Sequence, residues 1–185
     1  MRRLIIKKGV GYYMKKFVRI VCAFVLICCL FGAVGCGNKY NAELFNDAEQ
    51  WIRDDFLREN RVKAFYPNEN YDEYDEQSES YIYDETAPLT RTFIISDDET
   101  FNAIFKGDDI AVNFENEMLL LYIHPEIYAG RDYSLKKITV EGKKINISVE
   151  LEKKNGVGDA SMPSQSCLLV KMDRIEIDSA EFIEQ

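Results

Sequence analysis

Residues 118–123 read Met-Leu-Leu-Leu-Tyr-Ile, six apolar side chains in unbroken succession. Successive side chains of a strand point to opposite faces. A strand with no polar position therefore suits only a central place in a sheet covered on both faces. The rest of the fold has to supply both covers.

The neighbouring segments carry strand and turn signals. Residues 144–151 alternate Ile145, Ile147, Val149 and Leu151 with Lys144, Asn146, Ser148 and Glu150, the period of a strand with one face buried. The segment from Tyr133 to Val140 precedes it, separated by a turn at Gly142-Lys143. A two-residue type II′ turn takes Gly at its first position. That turn pairs Glu141 with Lys144, Val140 with Ile145 and Ile138 with Ile147, so opposite charges meet across the strands and apolar pairs share a face. Thr90–Ser96 and Cys167–Met172 read as further strands, and Arg174–Ile177 as a last one. Ser96 followed by Glu99 has the spacing of a capping box for a short helix through Phe105, which Gly107 stops. Between Asn41 and Lys63, Leu44, Ala48, Trp51 or Ile52, and Phe56 recur at helical spacing, with Asp47, Glu49, Arg53 and Arg58 elsewhere. This predicts an amphipathic helix with Asn41 as its cap and Trp51 in its packing. The expected class is α+β, mostly antiparallel β: a small sheet or sandwich-like domain with one short internal helix and one N-terminal amphipathic helix. No internal repeat is visible.

Charge divides the chain unevenly. Seven of the 23 basic residues and none of the 32 acids precede Cys36, which leaves 16 bases against 32 acids and a formal charge of −16 for residues 36–185. Such a surface repels phosphate backbones, so no nucleic-acid partner is expected. It also argues against lying flat on an anionic membrane. The acids concentrate in residues 68–88, with eight acids, four tyrosines and no base. At this density like charges disfavour compact packing, and residues 67–88 read as an acidic, Tyr-rich linker. A partner-docking segment with tyrosine anchors is the alternative. Calcium is a weaker one, because the Asp-x-Asp-x-Asp-Gly spacing of a Ca²⁺ loop is missing.

Residues 20–34 are uncharged and almost wholly apolar, and follow the basic stretch Lys15-Lys16-Phe17-Val18-Arg19. The run is shorter than the ~20 residues of a membrane-spanning helix and has the layout of a secretory signal, residues 1–35. Met14-Lys15-Lys16 begins a complete compact signal by itself, so translation can start at Met14. Ala33-Val34-Gly35-Cys36 resembles the lipobox of bacterial lipoproteins. The resemblance implies cleavage before Cys36 and lipidation of its thiol, and hence a chain anchored on the extracytoplasmic face of a cell membrane. Residues 36–66 then form the lipidated N-terminus with its helix, and 89–185 a β-rich domain.

Signals for catalysis are absent. His124 is the only histidine, at a strand end before Pro125, and reads as structural. Cys167 is the only cysteine beyond Cys36, in an apolar run, and reads as a small core residue. No Cys/His cluster for zinc, Gly-x-Ser-x-Gly elbow or phosphate-binding Gly-Lys loop occurs. Gly156-Val157-Gly158 lacks the following helix that a dinucleotide site needs. No metal, cofactor or enzymatic activity is expected.

Residues 89–178 resemble the C-terminal domain of PrcB-type lipoproteins, small partners of secreted protease complexes. The matching features run in order. After an opening strand and short helix comes Val112-Asn113-Phe114-Glu115-Asn116-Glu117, leading into Met118-Leu119-Leu120-Leu121. Gly130 and Tyr133 follow, then Ile138-Thr139-Val140, a basic Gly turn and Ile145–Val149. Pro163 precedes the closing strand Leu168-Leu169-Val170-Lys171. The resemblance implies a small β-rich interaction module that binds a protease or another exported envelope protein. Two Gly-bearing loops are the expected working surface, with Ala129, Gly130, Arg131, Asp132 and Tyr133 in one and Asn155, Gly156, Val157, Gly158 and Asp159 in the other. The rival readings are a protease inhibitor that inserts these loops into a cleft, and an envelope lipoprotein that holds a small ligand between the 41–63 helix and the sheet.

Overall fold

The computed structural model describes residues 40–75, 78–107, 110–127, 132–152 and 162–185. The signal segment and Cys36 lie outside them. The described chain is mostly antiparallel β with few helices, an α+β arrangement.

The apolar run forms the middle of β5 (Glu117–Glu126). β5 lies between β4 (Arg91–Ile95) and β8 (Ser164–Asp173), and β1 (Ala42–Phe45) completes a four-stranded sheet in the order β1-β8-β5-β4, antiparallel throughout. Both of its faces are covered. On one, Leu119, Leu121, Ile123, Cys167 and Leu169 pack against Phe101, Ile104, Phe105, Ala48 and Ile52. On the other, Met118, Leu120, Tyr122, Leu168, Val170 and Met172 pack against Ile138, Ile145, Ile147, Val149 and Phe182. The second cover is a three-stranded sheet of β6 (Tyr133–Glu141), β7 (Lys144–Leu151) and β9 (Ser179–Glu184). Leu119, Leu120 and Leu121 are completely buried, and each such side chain contributes about 1.5–3 kcal/mol of burial free energy.

The β6–β7 hairpin has the anticipated register, with Glu141 opposite Lys144, Val140 opposite Ile145 and Ile138 opposite Ile147. Gly142 has φ 63°, and Lys143 is not among the positive-φ residues. A type I′ turn needs both residues there and type II′ only the first, so the turn is type II′. Lys136 is an extra residue on β6, where the register shifts between Leu135 and Lys137.

Four expectations are corrected. The first is the amphipathic helix over Asn41–Lys63. The segment instead forms β1, a 3-10 turn at Ala48–Trp51, and α1 (Asp54–Glu59). Leu44 packs into the second core while Phe45 packs into the first, and only a strand sends adjacent side chains to opposite faces. Asp47 at φ 53° and extended Ile52 then break any helical continuity. The second correction concerns α2 (Asp98–Ile104), which is capped by Asp97, not by Ser96: the Asp97 carboxylate accepts the Thr100 amide at 2.7 Å. Third, the last strand is Ser179–Glu184 and not Arg174–Ile177. It runs parallel to β7, while Ile175 and Ile177 only pack against the second core. Fourth, residues 67–88 are more than a linker. β2 (Phe65–Pro67) and β3 (Tyr81–Tyr83) pair across the acidic tract as an antiparallel ribbon.

Candidate functional site at the loop end of the sheets

Two strand pairs open into the two Gly-bearing loops. The β5–β8 ladder ends with Glu126 opposite Ser164. The β6–β7 ladder begins with Tyr133 opposite Leu151, and the Glu152 amide donates to the Asp132 carbonyl at 2.7 Å just beyond it. The two ladder ends touch: the Tyr133 hydroxyl donates to Glu126 Oε2 at 2.7 Å. The loops therefore leave the body from adjoining stems. Asp132 and Tyr133 are part of these stems. Ala129, Gly130, Arg131, Asn155, Gly156, Val157, Gly158 and Asp159 lie outside the described residues.

Side chains outside the loops fix the stems. Asn46 holds Tyr133 on both sides of its peptide, with Nδ2 donating to the Tyr133 carbonyl at 3.1 Å and Oδ1 accepting its amide at 2.8 Å. It thereby acts as a one-residue strand beyond the end of β1. Glu49 acts similarly on β8. β1 stops at Phe45, opposite Leu169, and the Glu49 carboxylate accepts the next exposed amide, that of Cys167, at 3.2 Å. Burial raises the Glu49 pKa, against backbone hydrogen bonds that lower it. The Cys167 thiol is completely buried, and desolvation followed by the Glu49 charge pushes its pKa far up, which agrees with an inert core residue.

A polar cluster sits beneath the stems. Period-2 alternation puts Tyr122, His124 and Glu126 on one face of β5. His124 is 1% exposed, and neither ring nitrogen makes a well-formed hydrogen bond among the described residues. Its ring stacks on Tyr122 at 5.0 Å and meets Tyr133 edge-on at 5.7 Å, while Tyr122 stacks on Phe182 at 4.6 Å. Glu184 Oε1 lies 3.8 Å from His124 Nδ1. Desolvation lowers the His124 pKa, partly offset by the Glu126 charge. Desolvation and then Glu126 raise that of Glu184. Burial, then the Glu184 charge, pushes Tyr122 up to about 12. The sequence reading puts His124 at a strand end, whereas β5 runs on through Pro125 and Glu126, paired with Gln165 and Ser164. Asn46 and Glu184 were not legible in the sequence, because each reaches this end through pairing between distant segments.

The β2–β3 ribbon adjoins the second stem through the Phe65 amide, which donates to the Pro163 carbonyl at 2.8 Å. Tyr66 anchors it. Its hydroxyl donates to the Val62 carbonyl at 2.7 Å and lies 2.8 Å from Gln165 Oε1, and the Arg61 guanidinium covers its ring at 4.3 Å. A cleft of about 640 Å³ lies here, lined by Arg58, Arg61, Tyr66, Ile82, Asp84 and neighbouring residues.

No family model matches the chain, and no curated protein or solved structure matches it significantly. Among the described residues, no group of three or more His, Cys, Asp or Glu side chains is placed to hold a metal ion, and no helix is long and apolar enough to cross a membrane.

Proposed function

We propose that this chain is an extracytoplasmic lipoprotein, held to the membrane by lipid on Cys36, that acts as a protein-binding module. Its partner is an exported protease or envelope protein, for which it serves as an accessory subunit. One observation carries the reading: both Gly-bearing loops spring from adjoining stems that are clamped by Asn46 and by the Tyr133–Glu126 bond. Loops on a rigid scaffold present a fixed recognition surface at low ordering cost. The same clamped stems suit one second reading, a loop-inserting protease inhibitor, because fixed stems set where an inserted loop enters a cleft. The sequence supports the location, with a basic stretch, an apolar run and a small-residue motif ending at Cys36.

The test is crosslinking in the native host followed by pull-down and mass spectrometry, run beside Cys36→Ala and a deletion of residues 156–160. A single exported partner, lost on loop deletion, is expected. Metabolic labelling with a fatty acid is expected to mark the native chain and not Cys36→Ala. Capture that survives the loop deletion overturns the loop surface, and a lipid-free native chain overturns the anchor. Potent inhibition of the captured protease selects the second reading.

A further inference from the structure

We propose that the β2–β3 ribbon is a second docking element, which takes a lysine- or arginine-rich extended segment of a partner protein along the open edge of β3. The proposal goes beyond the loop-end reading and shares with it only the premise of a protein-binding module.

The ladder itself identifies the open edge. The Asn68 amide donates to the Ser80 carbonyl at 2.9 Å, and the Asp84 amide to the Ala64 carbonyl at 3.0 Å. Hydrogen-bonding positions alternate along an antiparallel pair. Residues 80, 82 and 84 therefore turn their backbone groups toward β2, while Tyr81 and Tyr83 turn theirs away. Pro67, with no amide hydrogen, sits opposite Tyr81. Among the described residues, β2 is the only strand that pairs with β3.

Natural sheets blunt such edges, because bare amides beside β-forming side chains recruit another strand. This chain does so elsewhere, where Glu49 covers Cys167 and Asn46 covers Tyr133. At β3 the side chains are instead Tyr, Ile and Tyr, with 44%, 51% and 37% exposure. Tyr81 and Tyr83 share a face, and Tyr83 stands against the Phe65 ring at 4.9 Å. An open edge with exposed aromatic anchors is how strand-adding recognition sites are built.

Charge selects the occupant. Residues 68–88 hold acids and no base, and Glu69, Glu73, Glu79 and Glu85 are exposed, against two bases, Arg58 and Arg61, that line the adjoining cleft. A second copy of the chain would bring two such tracts together, and an anionic membrane would be repelled. A cationic segment is attracted and steered. The strand bonds then supply affinity, and the tyrosines pack against alternate side chains of the partner.

The experiment measures binding of a short labelled peptide that alternates lysine and valine to the full-length chain in detergent, by fluorescence anisotropy. A counterpart with glutamate for lysine is the control. The lysine peptide is expected to bind at least about tenfold more tightly, with affinity that falls as salt rises. Two variants separate the causes. Tyr81→Pro removes one outward amide together with one exposed tyrosine anchor, and no bond of the ribbon, and so tests strand addition apart from charge. Exchange of Glu69, Glu73, Glu79 and Glu85 for Gln removes charge alone. Each is expected to weaken binding about tenfold or more with an unchanged thermal melt. Equal binding of the two peptides, or full affinity in Tyr81→Pro, overturns the proposal. So does failure of the lysine peptide to bind together with a dimer that Tyr81→Pro dissociates, which would assign the edge to a second copy. Recovery of a host partner through the loops without peptide binding overturns this inference alone. Peptide binding without a loop-dependent host partner supports it and overturns the loop-end reading instead.

Discussion

His124→Phe is expected to stabilise the protein. The imidazole is 1% exposed, with neither ring nitrogen in a well-formed hydrogen bond among the described residues. Burying an unpaired polar group costs about 1–3 kcal/mol in proteins. Phenylalanine removes that cost and keeps the stack between Tyr122 and Tyr133. Its extra ring atom costs something in a packed site, so the net gain at neutral pH is about 1 kcal/mol, or about 2–4 °C in Tm for a chain of this size. The pH dependence gives a sharper readout. Desolvation lowers the folded-state pKa of His124 below its ordinary 6.5. The folded state then binds fewer protons than the unfolded state just below that pH. The contribution of His124 is complete above 6.5 and is lost as pH falls toward the folded pKa, at up to about 1.4 kcal/mol per pH unit. Glu184 has the opposite sign. Its raised pKa means a contribution present below 4.5 and lost as pH rises through the folded value, and it is common to both proteins. The advantage of His124→Phe should therefore widen as pH falls from about 7 to 5, measured by urea unfolding at each pH. A variant less stable than the native chain by more than about 1 kcal/mol, or parallel pH profiles, would refute an unpaired neutral imidazole.

Three other outcomes follow from the geometry. Asn46→Ala removes both bonds to the Tyr133 peptide and is expected to cost about 2 kcal/mol, with faster hydrogen exchange at the Tyr133 amide and unchanged protection of Leu120. Gly142→Ala forces a Cβ into φ 63°, where it meets no atom within 4 Å. The loss should be the backbone cost alone, about 1–3 kcal/mol by thermal unfolding, because the first position of a type II′ turn suits glycine and not an L side chain. Cys167, buried with its pKa raised, should resist a thiol-reactive dye in the folded protein and label at once in denaturant, and prompt labelling of the native state would contradict its burial.

The elements that were legible beforehand share one property, that their signals are local. The unbroken run of residues 118–123 requires cover on both faces, and β5 has it. The Gly142-Lys143 turn and the alternation after it set the β6–β7 register. The 41–63 segment shows the limit of such reasoning. Leu44, Ala48, Ile52 and Phe56 do recur at helical spacing, and all are at least partly buried, but they serve two cores on opposite sides of the sheet. A periodicity shared between two cores mimics a helix facing one. The acidic tract misleads for a related reason. Charge repulsion argued for an open linker, yet the ribbon is closed by residues at its margins, Phe65–Pro67 and Tyr81–Tyr83, while Glu69, Asp72, Glu73, Asp75, Glu79 and Glu85 stay exposed.

The candidate surface divides in the same way. The sequence by itself determined the strands on either side of the two Gly-bearing segments, because turn chemistry and period-2 alternation act between near neighbours. Only the tertiary structure decided that both loops share one end, that Asn46 replaces a strand beside Tyr133, and that Glu184 faces His124. Those contacts join residues 87 and 60 positions apart. They arise when two sheets pack across a common core, and no pattern within one segment records which distant residue arrives opposite.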